Sequence, residues 1–194
     1  ALSSTTFTGI AGTTYDLRWT ITNAPCPVSF DVVTIKFNQN PTIANAGPDQ
    51  TGPLTCGLTT VTLAANSAII GTGGWSIISG AGGSFVDATS NTSSFTGTSG
   101  TSYVLRWTIS NAPCTASTDD VTVTFNQNPT AANAGPDQSG IATCGLTTVT
   151  LAANSPTVGT GGWSIVSGAG GSFANAASNT STFTGSNDSA DDIT

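Results

Sequence analysis

Residues Ser102–Ser110 read SYVLRWTIS, and residues 119–126 read DDVTVTFN. Both stretches alternate. Tyr103, Leu105, Trp107 and Ile109 share one face of the first, with Val104, Arg106 and Thr108 on the other; Val121, Val123 and Phe125 share one face of the second. A period of two marks a half-buried strand, because successive side chains of an extended chain point to opposite sides. Residues 111–118, holding Pro113 and Cys114, form the turn between them. Two such strands carry an apolar face that a second layer has to cover.

The covering layer is sought upstream. Residues 42–51 (TIANAGPDQT) read as a first strand bent at Gly47-Pro48, on an edge where proline costs no ladder donor. Residues 58–65 put Val61, Leu63 and Ala65 on one face, and residues 73–78 put Trp75 and Ile77 on one face. Short strands follow around Phe85 and over residues 92–96, with turn signals between them. Seven short strands and no helical period predict an all-β fold, an immunoglobulin-like seven-stranded β-sandwich with Trp75 near its centre.

Most of this text is written more than once. Cys56 recurs at Cys144 and Trp75 at Trp163, an offset of 88 residues; Trp19 recurs at Trp107 and Cys26 at Cys114 with the same offset. Residues 1–39 match 89–127, the last strands of a repeat; 40–127 are a complete repeat; 128–185 match 40–97, the front part of a third. Residues 186–194 (SNDSADDIT) depart from the pattern and form a divergent acidic tail to the third part, 128–194. The expectation is a set of sandwiches arranged head to tail, either a window on a longer array or one whose ends are completed by other chains. Repetition of this kind builds length or valency rather than one active site.

Composition narrows the function classes. Charged residues are 7% of the chain, against about 25% in an average domain. Arg18, Lys36 and Arg106 stand against ten Asp, for a net charge of -7. That balance excludes a nucleic-acid partner, which requires basic patches, and argues against an anionic membrane surface. No apolar run is long enough for membrane insertion. Ala1 starts no signal peptide, which reads as a mature or excised segment. Cys26, Cys56, Cys114 and Cys144, without His or CxxC spacing, point to an oxidising, extracellular location.

The runs ANAGPDQ and VTLAAN, then YVLRWTIS followed by DDVTVTF, resemble the PKD-like repeats of giant Bacteroidetes cell-surface adhesins, gliding-motility adhesins among them. The resemblance covers the chain up to residue 185. It implies a sandwich fold, export by type IX secretion and a role as a surface stalk or filament in adhesion or gliding motility. It implies no ligand pocket, and the acidic calcium cluster of PKD domains is not evident in these residues.

Candidate chemistry is sparse. His and Glu are absent, so the commonest general bases are missing and no enzyme is expected. No cofactor is expected. Asp49, Asp119, Asp120 and Asp137 are weak calcium candidates near strand ends, and solvated turn residues are the plainer account of them. Cys56 precedes the second strand and Cys114 follows the sixth, so the two turns fall at opposite ends of a sandwich. The favoured pairing is a disulfide clasp between neighbouring repeats; a Cys56–Cys114 bond within one repeat and free thiols are the alternatives. Trp19, Trp75, Trp107 and Trp163 are all assigned to the core by alternation. Arg106 is expected to pair with Asp119 or Asp120 across strands. The partners expected are neighbouring repeats or copies of the chain itself, with a surface or glycan ligand. Two other functions fit: a self-assembling filament subunit polymerised by β-strand donation, and a carbohydrate-binding module, which needs the exposed aromatics that this alternation places inward.

Overall fold

A computed structural model describes residues 5–185. The chain divides into two units, residues 1–126 and 127–194, considered separately below. The divergent tail 186–194 lies outside the described residues.

The fold is all-β, made of small antiparallel sheets with two short 3-10 turns. The first unit opens with a hairpin of β1 (Thr14–Ile21) and β2 (Ser29–Lys36). The complete repeat follows: β3 (Thr60–Thr62), β4 (Thr72–Ser79), β5 (Ser84–Phe85), β6 (Ser94–Thr96), β7 (Ser102–Ser110) and β8 (Ser117–Thr124). These form two three-stranded sheets, in the orders β3-β6-β5 and β4-β7-β8. Both contribute to one core, a β-sandwich-like arrangement. Val61 and Phe95 come from one sheet; Trp75, Tyr103, Leu105, Trp107, Ile109, Val121 and Val123 come from the other. Phe95 meets Tyr103 edge-on with ring centroids 5.0 Å apart, and Trp75 meets Trp107 at 5.1 Å. The alternation of SYVLRWTIS is reproduced: its four apolar positions are buried and the positions between them partly exposed.

The expected first strand takes a different form. Residues 42–51 make no ladder; a single parallel bridge joins Gln50 to Val123. The chain turns at Gly47, whose φ of 85° suits glycine, and Pro48 follows with no amide to donate. Side chains of β8 take over the role of a ladder. Ala44 N donates to Ser117 Oγ at 2.9 Å, Ala46 N to Asp119 Oδ2 at 2.8 Å, and Thr122 N to Asp49 Oδ1 at 2.7 Å.

The chain enters and leaves this sandwich at opposite ends. At one end Asn111 Nδ2 donates to Gln39 O at 2.7 Å. At the other Gly57 N donates to Asn126 O at 2.8 Å and Gly100 N to Phe125 O. Strand β7 runs between the two ends, and nine residues at 3.3 Å each span about 30 Å.

The second unit holds β9 (Thr148–Thr150), β10 (Ser172–Phe173) and β11 (Thr182–Thr184) in one sheet of order β10-β11-β9. Its register repeats that of β3, β5 and β6: Phe173 faces Phe183 as Phe85 faces Phe95. Residues 160–167, which correspond to β4, form no strand. A strand requires a ladder partner, and the text matching β7 does not occur in this unit.

Candidate functional site: two open faces of one core

The hairpin is a copy of β7–β8 without its cover. Its register is the same, with Tyr15 opposite Ile35 and Ile21 opposite Ser29, as Tyr103 is opposite Val123 and Ile109 opposite Ser117. Its turn-side hydroxyl contact is the same too: Ile10 N donates to Tyr15 Oη, as Thr98 N does to Tyr103 Oη. Burial differs. Trp107 is 1% exposed and Trp19 69%; Ile109 is fully buried and Ile21 is 59% exposed. The core assignment of Trp19 is therefore corrected. Alternation named the correct face, but no second sheet lies over the hairpin in this unit. Trp75 and Trp107 are core residues, and Trp163 is partly buried.

The second unit carries the complementary opening. A cleft of about 340 Å³ is lined by residues that include Ala132, Ala134, Ala153, Gly161 and Trp163. In the complete repeat the counterparts are Ala44, Ala46, Ala65, Gly73 and Trp75, and four of these are core residues. Gly73 explains what the cleft accommodates. A Cβ there would run into the Trp107 indole, whereas a Cβ at Gly161 would meet only Pro156 Cγ at 4.0 Å. Likewise a Cβ at Gly80 would strike the Tyr103 ring and one at Gly97 the Phe125 ring, while their counterparts Gly168 and Gly185 have nothing within 4 Å. Sequence reading passed over these glycines as turn formers. Their role is to make room for aromatic rings.

The acidic candidates do not gather into one site. Asp49 and Asp119 accept backbone amides, as described above. Asp120 accepts Arg106 Nε at 2.7 Å and Nη2 at 2.8 Å, the expected cross-strand pair. The Arg106 hydrogen bond holds the Asp120 carboxyl below its ordinary range. Asp137 belongs to the second unit. No cluster of three metal-ligating side chains occurs among the described residues. In the hairpin Val32 replaces Asp120, and Arg18 lies over the Phe30 ring at 3.6 Å instead.

Cys26, Cys56, Cys114 and Cys144 are unpaired. Cys56 lies beside Gly57, at the end where Asn126 leaves the sandwich. Cys114 lies in the β7–β8 turn, its amide bonded to Asn111 O at 3.0 Å, at the end where Gln39 arrives. The two stand about 30 Å apart along β7, several times the separation a disulfide spans. Among the described residues no helix is long and apolar enough to cross a membrane. No protein-family model and no curated protein matches the chain.

Proposed function

We propose that the chain is a non-catalytic structural segment of an extracellular, filamentous cell-surface adhesin, in which tandem immunoglobulin-like (PKD-like) sandwiches run head to tail as a stalk. The observation that carries this reading is the path of the chain through the complete repeat. It arrives beside Asn111 and departs beside Gly57, at opposite ends, and nearly the same text lies on both sides. A bead with opposed ends extends a structure each time it is repeated. The strand orders β3-β6-β5 and β4-β7-β8 support the immunoglobulin-like assignment, since they correspond to the B-E-D and C-F-G sheets of a constant-type domain. The ANAGPDQ and WTISNAPC runs support the PKD-like affinity, and with it type IX secretion and a surface location. Many weak contacts along such a stalk raise avidity without any strong single site. Immunogold electron microscopy of intact source cells, with antibody against the complete repeat, tests the reading. Label along surface fibres is the expected result; label confined to the cell interior contradicts it.

A further inference from the structure

We propose that the β1–β2 hairpin of one chain docks into the open cleft of the second unit of another copy, completing there the sandwich that residues 40–126 form alone. This inference deepens the head-to-tail arrangement proposed above but does not rest on where in the cell the chain works.

The fit is read from the complete repeat, which displays both halves assembled. Trp19, the counterpart of Trp107, would take the space above Gly161 and face Trp163, as Trp107 lies over Gly73 and faces Trp75. Tyr15 and Phe37 would take the open space at Gly168 and Gly185. The polar groups match as well. Ser29 and Asp31 stand where Ser117 and Asp119 accept the amides of Ala44 and Ala46, and the corresponding amides belong to Ala132 and Ala134. Asp137 stands where Asp49 accepts an amide from β8, and the corresponding donor is Thr34. The docked hairpin also supplies residues 160–167 with the ladder partner that β7 gives β4. Both halves already have their final registers, so little ordering remains.

Two details constrain the event. Phe7 packs on Tyr15 with ring centroids 5.1 Å apart and on Phe37 at 6.1 Å, the seat that Phe95 holds in the complete repeat. Phe183 of the acceptor would claim that seat, so docking displaces Phe7. The occupant is a second copy rather than the same chain, because the hairpin and the second unit are joined to opposite ends of the intervening sandwich, about 30 Å apart along β7.

The docked arrangement also sets a cysteine register. Gly57 N bonds Asn126 O, so Gly145 N of the acceptor would bond Asn38 O of the donor. The next donor residue, Gln39, is bonded by Asn111, in the turn that carries Cys114. Cys144 of the acceptor and Cys114 of the donor thus flank the same two residues. With glutathione disulfide as oxidant, the two thiols lose two electrons and two protons and form one bond, and the glutathione disulfide becomes two glutathione thiols.

The test uses the full chain and two variants. Trp19→Lys removes the donor ring at an exposed position opposite Asp31. Gly161→Val fills the acceptor space without touching its own unit. In sedimentation velocity without oxidant, the unsubstituted chain should form concentration-dependent oligomers, and each variant alone should remain at 19.2 kDa. An equimolar mixture should give a 1:1 dimer and stop there, since one intact donor and one intact acceptor remain. Glutathione disulfide should then join Cys144 of the Trp19→Lys chain to Cys114 of the Gly161→Val chain. An unsubstituted chain that stays monomeric, whether its hairpin is free or folded onto its own second unit, overturns the proposal. So do variants that still polymerise alone, or a mixture that stays monomeric. A different cysteine pairing, or none, contradicts the register.

Discussion

Trp75 and Trp107 face each other across the β4–β7 ladder, paired in register, with ring centroids 5.1 Å apart and both side chains buried. The pair needs Gly73 opposite Ile109 to leave room for the indole of Trp107. Trp107 Nε1 has no hydrogen-bond partner, so its value to the fold lies in packing. Trp107→Ala should therefore destabilise the complete repeat by about 3–5 kcal/mol, the range for large aromatic truncations. Trp19→Ala, in a chain dilute enough to be monomeric, should change stability by less than about 0.5 kcal/mol, as exposed substitutions do. Urea denaturation of both variants measures the contrast, and equal losses would refute it.

Asp119 is the side-chain staple of the first segment. Its carboxylate accepts the amide of Ala46, a residue 1% exposed. Asp119→Ala leaves that amide without its partner and should cost about 1–3 kcal/mol. If Asp119 instead served a calcium site, the loss would appear only with calcium present. Denaturation with and without a chelator separates the two.

Acid should weaken the complete repeat at low pH. The carboxyl of Asp120 is held below its ordinary value chiefly by the Arg106 hydrogen bond, and that of Asp87 by the Thr89 hydroxyl and amide. Lowered folded-state values mean that the unfolded chain takes up protons first. The contribution is therefore complete above the unfolded carboxylate range near pH 4 and is lost as pH falls through the lower folded-state values. Melting temperature should be flat from pH 7 to 5 and decline below pH 4. Asp120→Asn should lower it slightly at pH 7 and converge with the unsubstituted protein near pH 2. Both groups are exposed, so the effect is small.

Legibility in the sequence followed the strength of each local signal. The alternation in SYVLRWTIS located β7 and its buried face because nine residues sample the period several times. The same alternation failed at Trp19, because it reports which face is apolar and not whether a second sheet lies over that face. Residues 42–51 were read as a strand on composition; their amides are taken up by Ser117 and Asp119 more than 70 residues later, a pairing no local pattern carries. The two openings were implied by the cut points of the repeat. Their complementarity emerged only from the spaces at Gly161 and Gly168, since glycine in a sequence reads first as a turn. The opposite placement of Cys56 and Cys114 was legible from strand count alone, and the fold agrees with it.

Native-state hydrogen exchange on the full chain tests the central claim most directly, because β1 and β7 have nearly the same sequence and differ in what covers them. At high dilution the amides of residues 104–110 should exchange far more slowly than those of residues 16–22. Raising the chain concentration should bring β1, together with residues 160–167, to protection approaching that of β7. Protection of β1 that is unchanged by concentration, whether low or already equal to that of β7, would contradict the account.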